Sequence, residues 1–202
     1  VILAIPNTSE NDALEEFAKS HGISYYRGDL ENVLSRYYEA AKEFDCDVVV
    51  RITGDCPLID PNIINDVIEG YLSSEVDYTS NILPRTFPRG MDTEIFSFET
   101  LEKTHQAATD DYQKEHVTAY MYEHPEEFKL RNVEASEALK RTDLRLTVDY
   151  PEDLEFIKKI YEILYFQKKN FAFKDILEKM DAKPELLTLM RENIKTIKEG
   201  NR

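Results

Sequence analysis

The sequence predicts an α/β fold with a mixed, mostly parallel sheet, and two observations predict it. Short continuous apolar runs occur at VILAI (1–5) and DVVVRI (47–52), the pattern of strands buried on both faces. Stretches with helical spacing of apolar residues alternate with such runs, as βα units require.

VILAI is the first strand, and PNTSEND is a loop rich in turn formers. DALEEFAKS is a helix that ends on Gly22, since glycine tolerates the left-handed conformation at a helix C-cap. ISYY (23–26) is a strand. DLENVLSRYYEAAKEF is a helix with Val33, Leu34, Tyr37 and Ala41 on one face. After the strand DVVVRI comes the helix PNIINDVIEGYL, with Pro61 at its first position. DYTSNI (77–82) and MDTEIFSF (91–98) are strands around the turn-rich LPRTFPRG. FETLEKTHQAAT and YQKEHVTAYMYEH are helical, while KLRNVEA and LRLTV read as strands. PEDLEFIKKIYEILYFQK is a long helix opening on Pro151, and FKDILEKM and PELLTLMRENIKTIKEG form a helical tail. The expected organisation is an α/β domain over 1–168 and a C-terminal helical tail over 169–202.

Composition excludes several classes. The 202 residues carry a formal net charge of −15, which repels nucleic acid and anionic lipid. No apolar run approaches the roughly 20 residues that cross a bilayer. No basic-then-apolar leader precedes the first strand, so a cytoplasmic protein is expected. Cys46 and Cys56 lack CxxC or Cys/His spacing and read as reduced thiols, not zinc ligands. The six glycines form neither GxGxxG nor a P-loop, so no cradle of consecutive amides for phosphate is visible. The chain starts inside a buried-type strand without an initiator Met, and something N-terminal is expected to be missing.

Ligands of α/β sheets bind beyond the carboxyl ends of the strands. Asp55 stands there after DVVVRIT, with Gly54 expected to permit close backbone approach, and Asp149 stands there after LRLTV. Two carboxylates converging from distant points suit Mg2+, which takes one or two of them and completes its shell with water and phosphate oxygens. Arg51 would then face an anionic ligand or brace a carboxylate. A plainer reading makes Asp149 a helix cap and Asp55 a turn residue. In TFPRGMDTEIF, Arg89 and Gly90 make a turn, and Asp92 and Glu94 share one side of a strand. There they accept hydrogen bonds from sugar hydroxyls or form an ordinary solvated face. Arg85 and Arg89 can pair bidentately with an acidic sugar. His116 lies on a helix beside Glu115 as a candidate proton carrier or a structural residue. Arg145 and Thr147, on the strand leading into Asp149, face either substrate or core.

VVRITGDCPLIDP, FPRGMDTEIFSFETLEK, KEHVTAYMYEHPEEFKL and LRLTVDYPEDLEFI together resemble the cytidylyltransferase family of spore coat polysaccharide biosynthesis protein F. That family is related to the acylneuraminate and 3-deoxy-manno-octulosonate cytidylyltransferases. The resemblance runs from Val1 to about Leu189. It implies a Rossmann-like, three-layer αβα nucleotide-diphospho-sugar transferase fold and the conversion of CTP and an acidic sugar to CMP-sugar and pyrophosphate. It further implies that Asp55 and Asp149 hold Mg2+ and that the PRGMDTE and KEHVT segments border the sugar; related enzymes are often dimers, which makes a homodimer one expectation. Relatives open with a strand and a basic glycine-containing loop around the nucleotide, which nothing in this chain matches. Val1 aligns with their second strand. Two rivals follow. A GT-A glycosyltransferase would need a DxD-type motif, but Asp55 is followed by Cys56 and Pro57, with Asp60 the next acid. A truncated domain surviving as a binding or assembly module would account for the lack of a phosphate loop.

Overall fold

The computed structural model describes residues 1–200. The chain passes through β1 (Ile2–Pro6), α1 (Asp12–His21), β2 (Ser24–Gly28), α2 (Val33–Glu43), β3 (Val48–Arg51) and α3 (Pro61–Leu72). The expected alternation of strand and helix is present throughout this half. β1 and β2 pair in parallel, with Ile2 opposite Ser24 and Pro6 opposite Gly28. Gly22 closes α1 at φ 64°. Asn32 opens α2 by accepting the Ser35 N–H, and Asp60 opens α3 by accepting that of Asn62. Each cap satisfies an amide that has no partner inside its helix.

The second half runs through β4 (Tyr78–Ser80), β5 (Glu94–Ser97), α4 (Phe98–Ala107), α5 (Asp111–His116), α6 (Ala119–Glu123), β6 (Leu130–Asn132), α7 (Pro151–Leu164), α8 (Phe173–Ala182) and α9 (Pro184–Gly200). A four-stranded sheet has the order β3-β5-β4-β6, separate from the β1-β2 pair.

Three local expectations are corrected. YQKEHVTAYMYEH is two short helices, because Val117 between them has φ 58°. The Thr118 N–H donates to the His116 carbonyl at 2.5 Å across it, closing a γ-turn that β-branched residues rarely adopt. LRLTV is not a strand. It makes one bridge, Arg89 to Arg145, and its next free amides go to different loops: Leu146 N–H to Arg89 and Val148 N–H to Asp55. No ladder forms when successive amides find different partners. β3 is half-buried instead of fully buried. Val49 packs on the core while Val48 and Val50, on the alternate face, remain 41% and 37% exposed.

The chain divides into two compact units: Val1–Val50, Ser74–Tyr78 and Ile95–Leu130 form the first, and Arg51–Ser73, Thr79–Glu94 and the chain from Arg131 onward form the second. The first packs around Leu34, Tyr38, Phe96, Leu101, Val117 and Met121. The second packs around Ile63, Phe87, Met91, Leu144, Leu146 and Ile160, with Phe173, Ile176 and Met180 of α8 and Met190 of α9 in the same core.

At Gly90 two segments of the second unit come close together. Its φ is +101°, and a Cβ added there would stand 2.7 Å from the backbone of Leu146. The Leu146 N–H donates to Arg89 at 2.8 Å alongside it. Glycine is therefore required both by conformation and by close approach. Gly90→Ala is expected to lower stability by about 1–3 kcal/mol or more in urea unfolding. An unchanged midpoint would show that the two segments do not meet there.

Candidate active site

The loop after β3 is braced by its own backbone, with Cys56 N–H donating to Thr53 and Ile59 N–H to Cys56. Within this loop Asp60 is fully employed. One oxygen accepts the Asn62 N–H at 2.8 Å and the other accepts the Phe173 N–H at 2.7 Å, tying α3 to α8. Asp55 differs: it is partly exposed, and among the described residues its carboxylate has only a 3.6 Å contact from the Cys56 thiol. The Val148 N–H donates to the Asp55 carbonyl at 2.9 Å. The two acids separated by 94 positions in the chain are thus carried on adjoining main chains, since Asp149 follows Val148 directly. A third tie runs from the Tyr161 hydroxyl of α7 to the Pro57 carbonyl, 2.8 Å.

Asp149 is held in a small network. One of its oxygens, Oδ2, accepts from Nη2 of Arg145 and from the Thr147 hydroxyl, the latter at 3.0 Å. Arg145 also grips Asp153, through Nη2 at 3.0 Å and Nε at 3.5 Å. Asp153 in turn accepts the N–H groups of Asp149 and Tyr150 at 3.0 and 3.2 Å. Burial pushes the Arg145 pKa down, but Asp153 and Asp149 outweigh it and raise the value. The guanidinium is a fixed positive charge. Asp153 is a functional candidate that sequence reading misses. Its signal in the sequence is an acid in the third position of a helix, which is also the ordinary place for a capping residue.

The remaining candidates sort by whether their charges are already used. Arg51 pairs with Glu94, whose side chain is 4% exposed. Arg85 grips Asp92 with both terminal nitrogens, at 2.5 and 2.8 Å. Arg89 is exposed, and its guanidinium has no partner among the described residues. Gly54 does not serve close packing: a Cβ there would meet nothing within 4 Å. The space is open on the side of a cavity of about 560 Å3 that Gly54, Asp55, Pro57, Val148, Leu154, Ile157, Lys158, Tyr161 and Glu162 line. His116 belongs to the first unit, where it is exposed and meets Tyr112 edge-on, ring centroids 4.3 Å apart. All the other site candidates belong to the second unit.

The donor set around Asp55 and Asp149 fits a divalent cation. Asp149 and Asp153 against the one guanidinium of Arg145 leave one negative charge in that network, and Asp55, on the adjoining main chain, carries another. Asp149 is 44% exposed, and its second oxygen has no partner among the described residues. A cation that keeps most of its water needs no more than that from the protein. Among the described residues, the group of three metal-type side chains that lies close enough to share an ion is elsewhere. It consists of His124, Glu126 and Glu127, and Lys103 already neutralises Glu127 at 3.1 Å.

The sequence profile of the family described as cytidylyltransferase matches residues 1–179. The chain belongs to the cytidylyltransferase family. It is 36% identical over 186 residues to the uncharacterized protein MJ1063 of Methanocaldococcus jannaschii, covering 92% of this chain and 74% of that one. It is 32% identical over 190 residues to the spore coat polysaccharide biosynthesis protein SpsF of Bacillus subtilis, covering 93% and 77%. Its fold matches a cytidylyltransferase from Leptospira borgpetersenii with a TM-score of 0.83 and 35% identity, over 90% of this chain and 76% of that one. The α/β nucleotidyltransferase fold is thereby established, and with it nucleotidyl transfer as the reaction class of the family. No helix among the described residues is long and apolar enough to cross a membrane.

Cys56 is buried beside Asp55, and burial pushes its thiol pKa up to about 12. At pH 8 it is therefore protonated. In a Cys46→Ala background, Cys56 is expected to react with Ellman's reagent only on unfolding. Rapid reaction of the native protein would show an open, anion-stabilising site instead.

Proposed function

We propose that this cytidylyltransferase-family protein joins the cytidylyl group of CTP to an acidic sugar, releasing pyrophosphate, with Mg2+ held by Asp55 and Asp149. The observation that carries the reading is the Val148–Asp55 hydrogen bond, which brings the two acids to adjoining main chains beside a cavity that Asp55 and Val148 line. The family match and the likeness to the spore coat polysaccharide protein support a nucleotide-sugar product destined for a surface polysaccharide.

Nucleotidyl transfer asks mainly for alignment and charge neutralisation, and no protein nucleophile is needed. Bound Mg2+ would supply charge neutralisation at the phosphates. The chain's own residues do the rest. Asp55 and Asp149 would hold the ion, and Arg145, anchored by Asp153, fixes the orientation of Asp149. Arg89, whose guanidinium has no partner among the described residues, is the group that a sugar carboxylate or a phosphate can engage. Gly54 leaves the cavity wall open for close approach of a substrate. The paired states of Glu94 and Asp92 make them supports for Arg51 and Arg85, with sugar hydroxyls reaching them only if those pairs open. The glycosyltransferase alternative loses its second acid, because Asp60 is committed to two backbone amides.

Asp55→Asn and Asp149→Asn are each expected to reduce Mg2+-dependent release of pyrophosphate from CTP and an acidic sugar by about 100-fold or more. Retained turnover in both variants would refute the assignment. Release of a nucleoside diphosphate from a nucleotide-sugar donor, without pyrophosphate from CTP, would favour glycosyl transfer.

A further inference from the structure

Asp149 presents its two carboxylate oxygens unequally. Oδ2 accepts from both Arg145 Nη2 and Thr147 Oγ1, so its lone pairs are committed within the protein. Oδ1 accepts from no group among the described residues. Arg145 is not free to leave. The side chain of Asp153, 7% exposed, holds the guanidinium at 3.0 Å and would otherwise be a buried carboxylate without a countercharge. Thr147 is 8% exposed and stands two residues before Asp149, so its hydroxyl is equally fixed.

An ion arriving at Asp149 therefore finds one oxygen. Mg2+ and Mn2+ fit that condition, because a small octahedral shell accepts single oxygens from carboxylates and fills up with water. Ca2+ does not fit it as well: its larger shell of 6–8 oxygens is commonly completed by carboxylates that give both oxygens. We propose that Arg145 and Thr147 are specificity-determining residues that reserve one oxygen of Asp149, restrict it to single-oxygen ligation, and so favour Mg2+ or Mn2+ over Ca2+. This rests on the assignment of Asp149 as an ion ligand. Arg145 acts through Asp149 and is a positioning residue, not a substrate ligand.

The test is displacement of Mn2+ by Ca2+, followed by the electron paramagnetic resonance of free Mn2+ in the absence of substrates. Two variants are compared with the unmodified protein. Thr147→Val removes the hydroxyl at nearly constant volume. Arg145→Met combined with Asp153→Asn removes the guanidinium without leaving a buried unpaired charge, and the Asn still accepts the amides of Asp149 and Tyr150. Circular dichroism melting shows that each variant is folded. The Ca2+:Mn2+ ratio needed for half displacement is expected to fall by a few-fold in Thr147→Val and by about 10-fold in the double variant. Mn2+ binding that Asp149→Asn abolishes, with a ratio unchanged in Thr147→Val and in any folded double variant, overturns this inference and leaves the ion site standing. Absence of Asp149-dependent Mn2+ binding in the unmodified protein overturns the ion site and this inference together.

Discussion

Asp153 imposes a constraint that the rest of the site obeys. A carboxylate with so little exposure has to be answered by donors, and removing one partner of such a pair costs about 3–5 kcal/mol. Its donors are the amides of Asp149 and Tyr150 and the guanidinium of Arg145. Satisfying them fixes the start of α7, the backbone at residue 149 and the direction of Arg145 in a single step. Arg145 then meets the Asp149 carboxylate, and the residue before Asp149 bonds to Asp55. The orientation of Asp149, and the placing of its main chain against that of Asp55, follow from answering one buried charge.

The chain uses similar carboxylates for unlike purposes, and their partners separate the uses. Asp60 spends itself on two backbone amides, Glu94 on Arg51 and Asp92 on Arg85. Asp55 and one oxygen of Asp149 are left for a ligand. The arginines divide in the same way: Arg51, Arg85 and Arg145 are held by acids, and Arg89 meets no acid among the described residues. In a protein with a formal net charge of −15, a phosphorylated or acidic substrate approaches against the overall field. A local cation, whether the Arg89 guanidinium or a divalent ion on the paired acids, is what makes such binding physically feasible.

Much of the architecture was readable in advance because local signals and packing agree. The helix beginning at Pro61, the glycine cap at Gly22 and the alternation of strands and helices depend on neighbours within a few residues, and the structure has them where expected. Reading failed where a partner distant in sequence decides. LRLTV has the composition of a strand, but its amides find Arg89 and Asp55 instead of a ladder. YQKEHVTAYMYEH has helical spacing, but Val117 is buried in the first core with a positive φ that no local pattern announces. Gly54 leaves open space where a substrate could approach, whereas Gly90 has a positive φ and meets the backbone of Leu146, a close approach that no local pattern announces.

By itself the sequence determined the fold class through its alternating apolar runs and helical spacing, its motifs carried the resemblance to the family, and it put forward two acids as candidates. Only the tertiary structure decided which charges are spent and which remain. Pairing is a property of side chains brought together from positions 51 and 94, 85 and 92, or 145 and 153, and no spacing along the chain reveals whether a given carboxylate already has its countercharge. Electrostatic energy depends on distance in space, and folding is what sets that distance.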